Sequence, residues 1–419
     1  MRNMDTPILR RDIQMIPAQS QGRRMIAFLD PYRLTEGTIA LDMRLLPILK
    51  LLDGTHTLQD IQTALMRQQG GTMVPLSEVE SFLDGLDRAF LLQSPHYDEG
   101  MKALQEAFNR LDRRYPVHAG KAYESNPDRL RHDIEDAEGD LPPDDRIGAG
   151  DCITGIVAPH IDIAVARHTY VNVYRTLRER HFDLVIIFGI NHQVQQGLYS
   201  LSEKDYVTPF GTIPTDRAFI ARLREGLPEG TLAPDDFGHK MEHSIEFQTI
   251  FLHHYLGESL TIVPILCGAI HEFLSDGKNI CNDRRFRAMV KRINMLIGER
   301  VGDVLLVSGV DFSHVGPKFG HHAPAAAILS QAMSSDRTML SHIGRGSAED
   351  LFEHALTTQD RYNVCGLPAL LICSRLLRGD RGTLLSYDSY DEAATDSAVT
   401  YASMVFSRTE SRDSKHGYI

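Results

Sequence analysis

The sequence predicts a doubly wound α/β domain, with a mostly parallel sheet and helices on both faces, preceded by a small winged-helix α+β domain. Amphipathic stretches typical of helices alternate with apolar runs in the second part of the chain, the order that gives a parallel sheet between two helical layers. Residues 23–112 instead carry a mostly helical pattern. Four apolar runs have the character of strands buried on both faces, namely CITGIVAPH, FDLVIIFGINH, SLTIVPILCG and DVLLVSGVDFSH.

Residues 23–112 contain three predicted helices. A first apolar run at helical spacing stops at an Asp-Gly pair. Thr57 is expected to cap a second helix that ends at a Gly-Gly pair, and Ser77 with Glu80 has the pattern of a capping box before a third helix. The apolar segment FLLQ that follows is expected to be a strand.

Three short helices and a strand are the elements of a small winged-helix module. The segments LDGTHTLQDI and LDGLDRAFLLQ make residues 23–112 resemble the PqqD-like domains, which are winged helices that recognise peptides. The resemblance implies a peptide-binding role. A helical cap with no binding role of its own is the alternative, and residues 1–22 are interpreted as an N-terminal extension.

Three of the four predicted strands of the second domain end on polar side chains. Ligands bind in open α/β sheets just beyond the carboxyl ends of the strands, so these ends are expected to form one site. A single histidine at a strand end is commonly structural, whereas three on separate strands indicate function. The polar groups are His160 and Asp162 after the first strand, Asn191 and His192 after the second, and Asp311, Ser313 and His314 after the fourth.

Two of these histidines are the start of a predicted metal site. Neutral imidazoles such as those of His160 and His192 are common ligands for a divalent metal. Cys365 is the expected third ligand, because it lies where a helix begins and the helix dipole favours its thiolate. Asn363 is expected to cap that helix. A buried, inert thiol is the alternative interpretation of Cys365.

A second polar cluster, HKMEHSIEFQTIF, opens another predicted helix. His243 and Glu246 are three residues apart and share a helix face. Complementing the helix dipole is a sufficient reason for an acid at position 242. It is a weaker reason for Glu246, because Glu246 lies further inside the helix. We therefore expect Glu246 to contact the pocket.

Composition and charge are ordinary for a globular protein. The 419 residues are 42% hydrophobic and 24% charged, and the formal charge of −12 argues against nucleic acid as the main partner. The five cysteines lack CxxC spacing, and an odd number cannot all pair, so a reducing compartment is expected. No signal peptide or bilayer-spanning apolar stretch is recognisable, which predicts a cytoplasmic protein without a membrane partner.

Several motifs make residues 116–408 resemble the Memo family, which includes the AmmeMemoRadiSam system protein B. The segment HAGKAYESNPDRLRHDI is similar to the family's N-terminal HAGSWYP, and residues 409–419 form a polar tail beyond the resemblance. The Memo fold is similar to that of class III extradiol dioxygenases, which are non-haem iron enzymes. The motifs, in family order, are APH (158–160), FGINH (188–192), TPFGTIPTD (208–216), EHSIEFQ (242–248), SGVDFSHVG (308–316) and NVCG (363–366).

The resemblance implies roles for individual residues. The family's metal ligands fall on His160, His192 and Cys365, the set that the strand ends also indicate. The acid/base histidine of the dioxygenases falls on His314, which Asp311 is expected to orient. His243 is a further predicted catalytic residue, and contacts to the ligands or substrate are expected from Asp162, Arg167, Asn191, Glu246 and Thr208.

One departure from the family pattern concerns the first ligand. Many members carry small residues and a tyrosine after APH, whereas this chain has Asp162 and Arg167 in that region. Asp162 is therefore expected either to hydrogen-bond a ligating histidine or to be a ligand itself.

The leading functional hypothesis is a metal-dependent redox enzyme that uses Fe(II) or copper and leaves coordination positions open for oxygen or substrate. His314 would shuttle protons. The substrate would be a small molecule or a peptide, and radical-SAM and AMMECR-type proteins are implied partners.

One alternative is a recognition or scaffold protein that uses the same pocket without catalysis. Another is hydrolysis with Cys365 as nucleophile and His314 as base, which requires a thiolate free of metal.

Overall fold

The computed structural model describes residues 5–35, 37, 39–148, 150–192, 196–268 and 270–408. The chain divides into two units, Met1–Arg110 and Leu111–Ile419. The predicted polar tail, residues 409–419, lies outside the described residues. Among the helices within the described ranges, none combines the length and apolar character needed to cross a lipid bilayer.

The described part of the first unit has an antiparallel sheet, in the order β1-β2-β3, and helices that share one apolar core. Its elements are β1 (Gln14–Ser20), β2 (Arg23–Leu29), β3 (Ile39–Asp42), α1 (Leu46–Leu49), α2 (Leu58–Gln68), α3 (Leu76–Arg88) and α4 (Pro95–Asn109).

The first unit confirms some local predictions and corrects others. Thr57 caps α2 in a reciprocal capping box with Asp60. Ser77 is not a cap, because α3 begins at Leu76 and Ser77 lies inside its first turn. The FLLQ segment is not a strand: Leu92 makes a single bridge to Leu9. Strand β1 lies in the segment interpreted as an extension, yet it pairs along its whole length with β2. The assignment as a winged helix stays a prediction.

The second unit alternates strands and helices. Its elements are β4 (Arg113–Arg114), α5 (Pro127–Gly139), β5 (Cys152–Ala158), α6 (Ile163–Tyr174), β6 (Leu184–Ile190), β7 (Tyr199–Leu201), β8 (Asp205–Thr208), β9 (Gly211–Ile213), α7 (Arg217–Arg224), α8 (His243–Leu256), β10 (Ile262–Cys267), α9 (His271–Asp276), α10 (Arg284–Gly298), β11 (Val304–Gly309), β12 (His314–Val315), α11 (Ala325–Gly344), α12 (Ala348–Thr358), α13 (Leu367–Leu376), β13 (Arg381–Glu392) and β14 (Ser397–Arg408).

The large sheet is parallel at its centre and antiparallel at its edges. The four predicted strands are its central strands, in the order β5-β11-β6-β10, and neighbours in this group run parallel. β14 pairs antiparallel with β5 and carries β12 and β13, and β7 pairs antiparallel with β10. A separate small sheet has the order β4-β8-β9.

Burial on both faces explains why the central strands are continuous apolar runs. In β6, Leu184, Ile186 and Phe188 pack into the core that contains α7, α10, α12 and α13. Val185 and Ile187 point to the opposite face, into the core that contains α5, α6 and α8. Side chains alternate along a strand, so a strand between two helical layers needs apolar residues at every position. The parallel strands consequently deliver their carboxyl ends to one edge.

Candidate metal centre

His160 lies just beyond β5 and is 2% exposed. Its Nδ1 is 3.0 Å from the carbonyl oxygen of Gly309, at the end of β11. A carbonyl can only accept, so Nδ1 carries the proton, and Nε2 of the neutral ring presents its lone pair. Burial lowers the pKa of His160 to about 3, which keeps the ring neutral at ordinary pH. The ring is therefore prepared to ligate through Nε2.

His192 follows β6 and is oriented by Glu242. Its Nδ1 is 3.0 Å from Glu242 Oε2, so Nδ1–H donates to the carboxylate and Nε2 is directed elsewhere. Partial desolvation disfavours the imidazolium of this exposed side chain, but the Glu242 charge and hydrogen bond outweigh it and raise the pKa of His192 above its ordinary value. The same carboxylate caps α8 by accepting the backbone N–H groups of His243 and Ser244, each at 2.9 Å.

Cys365 reaches the histidines from the loop that precedes α13. Its Sγ is 3.2 Å from Nε2 of His160. Gly366 is needed at the next position, because a Cβ there would collide with the carbonyl oxygen of Asp311. Asn363 does not cap α13 as predicted, since its backbone is left-handed with φ 51° and the helix begins after Gly366. Burial raises the pKa of the Cys365 thiol well above its ordinary value.

The three predicted ligands come together. One ligand atom from each of His160, His192 and Cys365 lies within 4.8 Å of the other two. The two imidazole rings are 5.1 Å apart, centre to centre. Two imidazoles and a thiolate suit zinc, iron and copper better than magnesium or calcium, which prefer oxygen ligands. The residues present therefore fit a transition metal.

His243 lies against this cluster. Its ring stacks on that of His192, with centroids 5.0 Å apart, and meets the edge of the His160 ring at 5.2 Å. Burial lowers the pKa of His243 to about 3. His192, Glu242 and His243 form a second group whose ligand atoms lie within 4.8 Å of one another. A third histidine ring, that of His243, thus lies at the candidate site beside those of His160 and His192.

Asp311 hydrogen-bonds the backbone at the first candidate ligand and also interacts electrostatically with His314. Its Oδ1 accepts the backbone N–H groups of His160 and Ile161, at 2.9 and 3.1 Å, and its Oδ2 is 3.5 Å from His160 Nε2. Burial raises the pKa of Asp311 to about 6. Nδ1 of His314 is 3.0 Å from the carbonyl oxygen of Phe312. That Asp311 orients His314 stays a prediction.

The hydrolytic hypothesis, with Cys365 as nucleophile and His314 as base, stays a prediction. The imidazole in contact with the Cys365 sulfur is that of His160. His314 packs edge-on against Phe319, and Asn363 donates its side-chain amide to the His314 carbonyl.

The other residues that are expected to contact the ligands or the substrate lie in different surroundings. Asn191 is buried beside His192, and its backbone N–H donates to Cys267. Asp162 is exposed and caps α6 by accepting the N–H of Ala164, and Arg167 is half-buried on α6. Among the described residues, no hydrogen bond joins Asp162 or Arg167 to the three ligands.

Thr208 and Glu246 are buried in networks of their own. Thr208 Oγ1 is 2.8 Å from Nδ1 of His253. Glu246 pairs with the buried guanidinium of Arg114 and accepts the hydroxyl of Tyr123 at 2.6 Å. Both residues consequently have structural partners that account for their burial.

Two residues that contribute to the site were not predicted. From sequence, the helix dipole is a sufficient reason for Glu242, and its position before His243 in EHSIEFQ is the one signal of a role at the site. Gln248, from the same motif, donates to the carbonyl oxygen of Pro159 at 2.9 Å and so holds the loop that carries His160.

Comparison with known proteins agrees with this architecture. The family model of the Memo-like proteins matches residues 114–405. A MEMO1 family protein of Aquifex aeolicus is 30% identical over 380 residues, which are 90% of this chain and 94% of the relative. The MEMO1 family proteins of Methanosarcina barkeri and Thermus thermophilus are 27% and 24% identical, over 70% and 84% of this chain and 99% of each relative. The chain belongs to the Memo family.

Proposed function

We propose that this chain is a metal-dependent redox enzyme in which His160, His192 and Cys365 hold one Fe(II) or copper ion. The observation that carries the proposal is the convergence of their three ligand atoms within 4.8 Å. The Nδ1 atoms of both histidines are already hydrogen-bonded to acceptors, which is the usual arrangement around ligating imidazoles. The bound ion would supply one-electron chemistry that protein side chains alone lack.

The surrounding residues have roles of their own in this proposal. Glu242 fixes the ring orientation of His192. Asp311 fixes the backbone of His160 and Ile161. The Nδ1–H of His314 donates to Phe312, so its Nε2 is the atom able to accept a proton from a substrate and return it.

Metal quantification after anaerobic purification tests the proposal. We expect wild-type protein to hold one equivalent of iron or copper and His160→Ala to hold none. His168→Ala is the matched control, since His168 is an exposed histidine on the following helix and should leave the metal content unchanged.

Two results would contradict the proposal. One is a His160→Ala protein that retains a full equivalent of metal. The other is a wild-type protein that holds no metal but binds peptides tightly, which would favour the recognition alternative.

A further inference from the structure

A cavity of about 370 Å³ borders two of the candidate ligands, His192 and Cys365. Its volume lies in the range of pockets that bind small molecules. The wall is mostly apolar and is built at the ends of β6 and β10 and the starts of α9 and α13. The apolar residues are Ile190, Ile270, Leu274, Val364, Leu367 and Pro368.

One carboxylate interrupts this apolar wall. Asp360 lines the cavity and is half-buried. Its Oδ1 accepts the backbone N–H of Val364 at 3.0 Å. In the described part of the chain, no other hydrogen bond reaches this carboxylate, although an ionised carboxylate can accept about four. Burial raises the pKa of Asp360 to about 6, so the group is ionised at mildly alkaline pH. Among the described residues of the cavity wall, and apart from the candidate ligands, the other ionisable side chain is that of the exposed His271.

The backbone holds Asp360 at this position. Gln359 ends α12 in a left-handed conformation, with φ 54°, and Asp360 continues it with φ 43°. The N–H of Asp360 donates to the carbonyl of Ala355 at 2.9 Å. Three residues on, the side-chain amide of Asn363 donates to the carbonyls of His314 and Phe319 at 3.2 and 3.1 Å. The carboxylate is therefore fixed on the same loop that carries Cys365.

We propose that this cavity is the substrate pocket of the metal centre and that Asp360 selects small molecules carrying a primary amine on an apolar body. The inference rests on the proposed function, because it gives the metal centre its substrate class. The apolar wall accommodates the body of the substrate. The incompletely hydrogen-bonded carboxylate provides a charged acceptor for the ammonium group.

Three probes with one apolar body test the selection. They are 3-phenylpropylamine, 3-phenylpropan-1-ol and 3-phenylpropanoate, titrated calorimetrically into metal-loaded, full-length protein at mildly alkaline pH. We expect the amine to bind about tenfold more tightly than the alcohol, and the carboxylate to bind most weakly. In Asp360→Asn, the amine and the alcohol should bind within about twofold of each other, because the variant keeps the shape and loses the charge.

Two further variants locate the binding. Glu353→Gln removes an exposed carboxylate from the helix that precedes Asp360 and should preserve the amine preference. Leu274→Trp fills the cavity and should abolish binding of all three probes while metal content stays at one equivalent. This variant also keeps the proposal testable if Asp360→Asn fails to fold.

The inference is overturned if the wild-type protein shows no amine preference, if Asp360→Asn retains it, or if Leu274→Trp binds the amine normally. Metal content is measured on the same samples. One equivalent of metal without an amine preference overturns the pocket assignment alone, whereas a wild-type protein that binds no metal overturns the proposed function.

Discussion

At the scale of single residues, Glu242 connects the start of a helix to a candidate ligand. One oxygen of its carboxylate caps α8, and both oxygens lie within 3.2 Å of Nδ1 of His192. Burial alone would raise the pKa of this carboxyl, but the neighbouring His192 and His243 hold it well below the ordinary value. Glu242 is therefore an ionised carboxylate that holds the His192 ring through Nδ1 and leaves Nε2 available.

Replacement of Glu242 by glutamine tests this role. Glutamine can still accept the capping hydrogen bonds, but it lacks the charge that makes His192 a stronger donor of electron density to a metal. We expect Glu242→Gln to weaken metal affinity by about 10–100-fold, measured by competition with a chelator.

The control for this measurement is Glu258→Gln, which changes an exposed glutamate just beyond α8. Its metal affinity and melting temperature should equal those of the wild-type protein. An unchanged affinity in Glu242→Gln would show that the carboxylate does not support the ligand.

The convergence of the three candidate ligands was predictable from sequence, because the two histidines follow buried strands and the cysteine precedes a helix. His160 and His192 stand at strand ends, where parallel topology forces neighbours together. Asp162 was harder to interpret, because a carboxylate before a helix serves equally well as a cap, which is the contact the structure gives it.

At the scale of elements, a buried ion pair joins the N-terminal segment of the second unit to α8. The Arg114 guanidinium contacts Glu246 and also donates to the backbone carbonyls of His239 and Glu242, at 3.1 and 2.7 Å. Glu246 also accepts the N–H of His118 at 3.0 Å. The pair thus supports the turn from which Glu242 reaches His192.

Removal of one partner should be strongly destabilising. Glu246→Ala leaves a buried guanidinium without its counter-charge, and we expect the free energy of unfolding to fall by about 3–5 kcal/mol in denaturant titrations. The double variant Arg114→Met/Glu246→Leu should recover part of that loss, because it leaves no unpaired charge, but the carbonyls of His239 and Glu242 lose their donor.

The matched control for the ion pair is Glu258→Ala, an exposed position that should change the free energy of unfolding by less than about 0.5 kcal/mol. If Glu246→Ala were as stable as this control, the buried pair would not hold the segment to α8.

The central strands were predictable, whereas the hairpin of β13 and β14 was not. β14 is buried along all but its last residue, yet its sequence contains serine and threonine at several positions. Partners that lie nearby in the folded structure satisfy two of these hydroxyls. Thr400 donates to Asp336 at 2.6 Å, and Ser403 lies 2.7 Å from Ser386. Because those partners are distant in sequence, the apolar pattern alone did not indicate a buried strand.

In the molecule as a whole, the strand order and one returning loop bring the residues of the candidate metal centre together. The strand order β5-β11-β6 places the ends of three strands side by side, and the loop before α13 crosses to them with Cys365. Sequence patterns predict the strands but not the return of a loop from 205 residues away. For Cys365, the signal in the sequence was its place at the start of a predicted helix, and the family resemblance pointed to the same residue.

X-ray absorption spectroscopy of the zinc-loaded wild-type protein identifies the atoms that hold the metal, since zinc reports the ligand set without redox complications. We expect one sulfur at about 2.3 Å and two imidazole nitrogens at about 2.0–2.1 Å, with the sulfur lost in Cys365→Ser. A spectrum with only nitrogen and oxygen neighbours in the wild-type protein would contradict the assignment of His160, His192 and Cys365 as the metal ligands.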